Sequence, residues 1–171
     1  RISGVIRENL QTLFGGCGVG FIPISETNTG RLSVLKEENG WERYQVFGNG
    51  RRGHHSRYGF MGYYYKVGRD TTAQKKAEIE IRKNRRYFKK AQNFEQISLL
   101  YANSIENVDY ELSTDTGTVS KGNLVASKGV KRRIWQMNGF STGKISLFLE
   151  TINSPDFYGV SLDCRRGVAV D

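Results

Sequence analysis

Residues 77–83, AEIEIRK, alternate strictly between apolar and charged side chains. Ala77, Ile79 and Ile81 would lie on one face of an extended chain, with the charged side chains on the other. Because successive side chains of a β-strand point to opposite faces, this pattern is typical of a strand with one buried face. The stretch predicts a sheet that packs against a core on one side only.

Similar stretches recur on both sides of it, about ten residues apart, a spacing typical of antiparallel sandwiches. Asn39-Gly40 is a dipeptide favoured in type I′ turns and predicts a hairpin within residues 31–47. Near the end of the chain, Tyr158, Val160, Leu162 and Cys164 alternate with smaller or polar neighbours. The other predicted strands are FMGYYYKVG (60–68), EQISLLYAN (95–103), VDYELST (108–114), TVSKGNLVAS (118–127), VKRRIWQMN (130–138) and GKISLFLET (143–151).

The first segment, RISGVIRENLQTLF (1–14), has a different period, because its apolar residues recur at helical spacing. A glycine-rich stretch at 15–20 then ends the predicted helix. We therefore predict a mainly β protein. Its expected fold is an antiparallel β-sandwich of the jelly-roll type, like that of carbohydrate-binding modules, with one N-terminal amphipathic helix.

The composition is that of a folded chain of 171 residues, with 37% hydrophobic and 25% charged residues. These fractions exclude a chain that is disordered by composition. The formal net charge of +9 permits nucleic acid or acidic polymers as partners, but it does not define a binding site. No apolar run approaches the ~20 residues of a membrane span, so none is expected.

Cys17 and Cys164 are the two cysteines of the chain. Two thiols are too few for a structural zinc site, and the adjacent His54 and His55 lack a third ligand nearby in sequence. We expect no metal and no cofactor. Both cysteines are predicted to be small buried apolar residues, and the sequence leaves open whether they pair.

The two ends of the chain resemble one protein family. RISGVIRENLQTLFGGCGVGFIPI (1–24) and YGVSLD followed by RGVAVD (158–163 and 166–171) are similar to stretches of bacterial SGNH/GDSL hydrolases, in particular multidomain carbohydrate or peptidoglycan esterases of the Bacteroidetes type. The resemblance implies that residues 1–24 are a fragment of a flanking α/β core, that 25–165 form an inserted β-sandwich and that 166–171 return to the core. It also implies a periplasmic or extracellular parent enzyme that hydrolyses ester bonds.

The catalytic motifs of that family are absent from the sequence. It contains neither Gly-Asp-Ser nor Asp-x-x-His, so no catalytic residue can be carried over. We therefore expect the chain itself to be non-catalytic. Its expected role is an accessory domain that binds glycan or peptidoglycan, or that shapes the active-site cleft of the parent, with the rest of the parent as a partner.

The stretch GRRGHHSRYGF (50–60) has the composition of a binding loop. Arginine side chains suit carboxylates or phosphates, and neighbouring aromatic rings can stack on sugars. The alternative is a solvated basic loop, or an arginine that packs on an aromatic ring. The candidate ligand-binding residues are Arg52, His54, His55, Tyr64 and Trp41.

Two other functions remain open from the sequence. A free-standing basic domain could bind nucleic acid through KKAEIEIRKNRRYFKK (75–90), although Glu78 and Glu80 interrupt its basic charge. A purely structural insert would bury Trp41, Tyr64 and Trp135. An exposed aromatic ring beside His54 would favour binding instead.

Overall fold

The computed structural model describes residues 2–25, 34–59, 61–68, 74–84, 88–137 and 143–168. The two α-helices are α1 (Ile2–Phe14) and α2 (Lys89–Gln92), and a 3₁₀ helix covers His55–Arg57. The strands are β1 (Gly20–Pro23), β2 (Val34–Asn39), β3 (Trp41–Gln45), β4 (Tyr63–Val67), β5 (Lys75–Lys83), β6 (Gln96–Ala102), β7 (Val108–Thr114), β8 (Gly117–Leu124), β9 (Lys131–Gln136), β10 (Lys144–Thr151) and β11 (Asp156–Asp163).

The strands form two antiparallel sheets that enclose one core. Sheet A has the order β3-β4-β11-β6-β9, and β1 also pairs with β11. Sheet B has the order β2-β5-β10-β7-β8. The inward-facing residues of both sheets are buried in one cluster, which includes Ile79 of sheet B and Leu99 of sheet A. The predicted mainly β sandwich with one N-terminal helix is confirmed.

Strand β11 differs in detail from the predicted alternation. A bulge lies between Phe157 and Gly159 and shifts the pairing of β11 with β6. Phe157 and Val160 are therefore both in the core, while Tyr158 is only half-buried. Because a bulge adds one residue to a strand, it reverses the face of every side chain beyond it.

Helix α1 confirms the predicted helix, but its apolar stripe faces away from the sandwich. Ile2 is 78% exposed, and Leu13 and Phe14 are also exposed. The opposite side packs on the protein, where the buried Gln11 donates a side-chain hydrogen bond to the Gly18 carbonyl, at 3.1 Å. Gly15, with φ +75°, ends the helix as predicted.

The hairpin predicted across Asn39-Gly40 is wrong. Strand β2 belongs to sheet B and β3 to sheet A, so the chain crosses from one sheet to the other at this point. Gly40 has φ +76°, and a Cβ there would lie 2.2 Å from the Lys76 carbonyl oxygen. The glycine is thus needed for a tight corner between sheets rather than for a type I′ turn.

The two cysteines form a disulfide, a pairing that the sequence left open, and Cys17 is buried as predicted while Cys164 is only half-buried. Cys17 and Cys164 are 147 positions apart in sequence, and their Cα atoms are 5.2 Å apart. The chain therefore enters and leaves the sandwich at one place. There, the Val168 amide also donates to the Gly15 carbonyl, at 3.0 Å.

The proposed boundaries of the sandwich at residues 24 and 165 stay a prediction. Strand β1, which lies before the first boundary, pairs with β11 and so contributes to sheet A. The described part of 166–171 ends at Val168. Neither described α-helix is long and apolar enough to cross a membrane.

Candidate functional site

The glycine-rich loop after β3 folds back over the outer face of sheet A. Since Tyr65 and Val67 point into the core, Tyr64 and Lys66 of the same strand lie on the outer face. Gly53 packs so closely on Tyr64 that a Cβ at Gly53 would lie 1.8 Å from the phenolic oxygen. The loop is thereby held against the sheet, and its 3₁₀ helix delivers Arg57 to the outer face.

Arg57 binds a buried carboxylate at the start of β11. Its Nε and Nη2 atoms donate to the two carboxylate oxygens of Asp156, both at 2.6 Å. Asp156 is fully buried, and it also accepts a hydrogen bond from the Asn103 side-chain amide, at 2.7 Å. Lys66 Nζ lies 3.6 Å from the same carboxylate. Three side chains from distant parts of the sequence are thus fixed around one anion.

The electrostatics of these groups follow from their surroundings. The hydrogen bonds to Asp156 raise the pKa of Arg57 above its usual value. Burial lowers the pKa of Lys66, and the charge of Arg57 acts in the same direction. Lys66 also donates to the Ser154 carbonyl, at 2.9 Å. Because buried ion pairs add little net stability, we interpret this network chiefly as a means of fixing geometry.

An aromatic stack lies beside the network. Tyr44 of β3 stacks on Tyr64, with ring centroids 4.8 Å apart and planes within 6° of parallel. Tyr58 packs against the same ring of Tyr64, and the Arg57 guanidinium lies over it. Burial raises the pKa of Tyr64 to about 12. Tyr64 supports the half-buried Tyr44 ring from below.

A cleft of about 370 Å³ opens beside these groups, and we call it the Tyr44 cleft. It combines an aromatic ring with amide, hydroxyl and charged groups, several of them fixed by Asp156. Such a combination can position a polar ligand by directional hydrogen bonds and by contact with an apolar ring face. Its lining residues are Glu42, Tyr44, Arg57, Lys66, Val67, Lys75, Asn103, Ile105, Asn153 and Ser154.

The basic candidates Arg52, His54 and His55 lie in the loop but do not line this cleft. Arg52 donates to the carbonyls of Val46 and Gly48 and so holds its own loop together. The imidazole rings of His54 and His55 are exposed, with centroids 4.3 Å apart. A binding role for these three residues stays a prediction.

The aromatic candidates are more buried than a ligand platform requires. Tyr64 is 2% exposed and Trp135 4%. Trp41 is half-buried, with its edge on Phe157 and its indole N–H donating to the Glu78 carbonyl, at 2.9 Å. Direct contact of Tyr64 or Trp41 with a ligand is also still a prediction, and Tyr64 would act through the Tyr44 ring that it supports.

Trp135 and its neighbour Ile134 face opposite sides of β9, as successive residues of a strand do. Ile134 is 42% exposed, whereas Trp135 is in the core. The tryptophan ring packs edge-on against Tyr110, with centroids 5.1 Å apart. Trp135 is therefore a structural residue.

No pattern in the sequence predicted the residues that assemble the Tyr44 cleft. Tyr44, Lys66, Asn103 and Asp156 are far apart in sequence, so they form no local motif. One local signal was available: Asn103 is the last residue of the predicted strand 95–103, and Asn tolerates the left-handed conformation that it has there, with φ +54°, better than most residues. Asp156 gave no such signal, because its burial depends on the pairing of β11 with β6.

The geometry does not build an acyl-transfer site in the loop. His54 Nδ1 lies 2.7 Å from Ser56 Oγ, but the same ring atom also accepts from the Ser56 amide and caps the 3₁₀ helix. Within the described residues, no carboxylate is bonded to either histidine. The same part of the chain contains no group of three or more His, Cys, Asp or Glu that could hold a metal.

The outer face of sheet B has a second depression, of about 390 Å³. Phe148 lies in the middle of the sheet, with Glu78 opposite it on β5 and Glu111 opposite it on β7. Of the predicted nucleic-acid stretch, the side chains of Lys76, Glu78, Glu80 and Arg82 lie on this face, whereas Lys89 and Lys90 belong to α2 and residues 85–87 lie outside the described part. Carboxylates surround Phe148, so this face does not suit a polyanion.

No protein-family model and no curated protein match the sequence. Solved structures match by fold. An exo-β-1,3-galactanase from Phanerochaete chrysosporium has 14% identity and a TM-score of 0.38, with 76% of this chain and 29% of the enzyme aligned. The tailspike protein 4 active domain of bacteriophage CBA120 has 8% identity and a TM-score of 0.45, with 84% and 21% aligned.

A family 32 carbohydrate-binding module from C. perfringens, solved with galactose, has 13% identity and a TM-score of 0.40, with 81% of this chain and 98% of the module aligned. The chain thus spans less than a third of the galactanase and of the tailspike domain. At TM-scores this low, the likenesses carry no argument about function. The assignment as an antiparallel sandwich rests on the sheet topology.

The resemblance to SGNH hydrolases is wrong. No family model supports it, and the galactanase and the carbohydrate-binding module named above are proteins of other kinds. The resemblance rested on short glycine-rich motifs at the two ends, and the sandwich itself accounts for these glycines. A Cβ at Gly18 would lie 1.9 Å from the Leu162 carbonyl oxygen, and Gly167 packs as closely on Gly16.

Proposed function

We propose that this chain is a non-catalytic glycan-binding domain whose ligand occupies the Tyr44 cleft. One observation carries the proposal: an aromatic ring backed by a second ring lines a cleft whose polar groups are fixed by a fully buried carboxylate. Sugars offer an apolar ring face together with many hydroxyl groups, and this arrangement complements both. Preorganised polar groups also reduce the entropy lost on binding.

Glycan binding can be tested with a glycan array that includes peptidoglycan fragments, followed by calorimetry on any ligand found. Tyr44→Ala should weaken binding at least about tenfold, because it removes the ring from the cleft. Phe148→Ala is the matched control, since it removes an aromatic ring from the opposite sheet. Unchanged affinity in Tyr44→Ala, or no binding to any glycan, would contradict the proposal.

A duplex DNA of mixed sequence in the same assay tests the nucleic-acid alternative. Steep loss of DNA affinity with rising salt, with no glycan bound, would favour that alternative. Retained glycan binding at raised salt would favour the proposal.

We also propose that the domain works in the periplasm or outside the cell. The Cys17–Cys164 disulfide supports this location, since disulfides persist in oxidising compartments. Trapping of free thiols in the natural host, followed by mass spectrometry, would test it. A fully reduced pair in the host would contradict the proposed location.

A further inference from the structure

The Tyr44 cleft is unusually rich in positive charge. Among the residues that the structure describes, its lining contains three cations, Arg57, Lys66 and Lys75, and one carboxylate, Glu42. That carboxylate is already bound, because Arg51 forms a salt bridge to it and the Tyr44 hydroxyl donates to it at 3.3 Å. A ligand would therefore meet cations that the lining does not neutralise.

The carboxylates around the cleft cancel this charge only in part. Asp156 lies fully buried beneath the lining and is shared by Arg57 and Lys66. Glu106 is next to the lining residue Ile105, and it accepts a hydrogen bond from the Asn153 amide, at 2.6 Å. No described residue gives the Lys75 ammonium group a hydrogen bond or an ion pair. Its charge also acts on Lys66, whose pKa is lowered first by burial and further by Arg57 and Lys75.

Donor atoms are also left over for a ligand. Asp156 engages Nε and Nη2 of Arg57, so the hydrogen bonds to this carboxylate leave Nη1 free. An ammonium group has three donors, and Lys66 directs one to the Ser154 carbonyl. With Lys75 at the same cleft, several charged donors can converge on one oxyanion. Hydrogen bonds between charged partners are the stronger kind.

We propose that the glycan bound in this cleft is acidic, with a monoanionic substituent, either a carboxylate or a sulfate ester, held by Arg57, Lys66 and Lys75. This inference rests on the proposed glycan-binding function and specifies its ligand class. The Tyr44 ring contacts the sugar ring, and Asn103 and Asn153 provide amide groups for its hydroxyls. Neutral glycans of the same backbone bind more weakly, because the half-buried cations then lose water without gaining a further counter-charge.

The test is calorimetry on the oxidised domain with matched ligand pairs. One pair is an oligogalacturonate and its methyl ester, and the other is a sulfated galactan oligosaccharide and its desulfated form. At least about tenfold tighter binding of the acidic member in either pair supports the inference, and the pair that shows it identifies the anion. A single-stranded DNA of similar charge is included to detect non-specific attraction.

Variants of two neighbouring lysines provide the control. Lys75→Gln should remove most of the preference for the acidic ligand, and Lys75→Arg should retain it. Lys76→Gln should leave the preference unchanged, because Lys76 lies on the outer face of sheet B and pairs with Glu150. A second variant, Lys66→Gln, should reduce the preference in the same way as Lys75→Gln.

The possible failures can be told apart. Equal affinity for the acidic and neutral members would overturn the acidic-ligand inference while leaving glycan binding intact. No binding to either pair or to any glycan on the array would overturn the proposed function itself, and the inference with it. A third outcome is that DNA binds as tightly as the acidic glycan, and that Lys75→Gln and Lys76→Gln weaken this binding equally. This would show non-specific electrostatic attraction and would also overturn the inference.

Discussion

At the scale of single residues, burial beneath the loop gives Tyr64 an unusual titration. The usual pKa of 10.0 is raised to about 12, so the folded protein favours the protonated phenol. A raised pKa in the folded state gives stability that is fully present below the unfolded pKa and lost as pH rises toward the folded value. Tyr64 should therefore contribute a loss of stability between about pH 10 and pH 12.

Replacement by phenylalanine isolates this contribution. Tyr64→Phe cannot ionise, so its free energy of unfolding should fall less steeply over that alkaline range than that of the unmodified protein. Urea denaturation at a series of pH values measures the difference. In an alkaline titration followed by tyrosinate absorbance, the Tyr64→Phe variant should show one fewer phenol that ionises at high pH than the unmodified protein. Parallel pH profiles for the two proteins would contradict the assignment.

The residue scale also shows where sequence reasoning reaches its limit. Arg57 was visible in a basic loop, but its partner Asp156 follows 99 positions later. The local composition shows that a loop contains arginines, but it does not show which carboxylate those arginines bind. Likewise, the alternation of a strand puts Tyr64 on the opposite face from Tyr63 and Tyr65, but only the covering loop explains why Tyr64 is buried.

At the scale of elements, the loop after β3 depends on Gly53. A methyl group there would collide with the Tyr64 phenol and push the loop off sheet A. Gly53→Ala should cost about 1–3 kcal/mol of stability, as overpacked sites do. It should also weaken glycan binding, because Arg57 belongs to the same loop. Thermal unfolding and calorimetry measure the two effects.

Gly129→Ala is the matched control for that substitution. A Cβ at Gly129 meets no atom within 4 Å, so this variant should behave like the unmodified protein. Equal stability of the two glycine variants would mean that the loop does not press on Tyr64 as described.

The hydrophobic periodicity predicted the strands themselves better than it predicted which strands pair with each other. The alternation of AEIEIRK correctly placed Ala77, Ile79 and Ile81 on the buried face of β5. The signal of Asn39-Gly40 was local, and it could not reveal that β2 pairs with β5 and β3 with β4. Strand pairing depends on long-range packing, which no short window of sequence contains.

At the scale of the whole molecule, the disulfide closes a loop of almost the entire chain. In the chain-entropy model, a cross-link that closes a loop of that length stabilises the folded protein by about 5 kcal/mol, because it reduces the entropy of the unfolded chain. Reduction should therefore lower the free energy of unfolding by several kcal/mol. Urea denaturation with and without a reductant measures this difference.

A double variant serves as the reference for that experiment. Cys17→Ala combined with Cys164→Ala should match the reduced protein and should not respond to the reductant. Equal stability of the oxidised and reduced proteins would contradict a stabilising role for this bond.

The same bond has a mechanical consequence. Tension applied between helix α1 and Val168 enters the molecule just outside the two cysteines, so the force passes along the Sγ–Sγ bond. The strands between residues 17 and 164 are then shielded from the load, and stretching alone cannot unzip either sheet while the bond is intact. In an oxidising environment the sandwich should therefore not extend when it is pulled by its two ends.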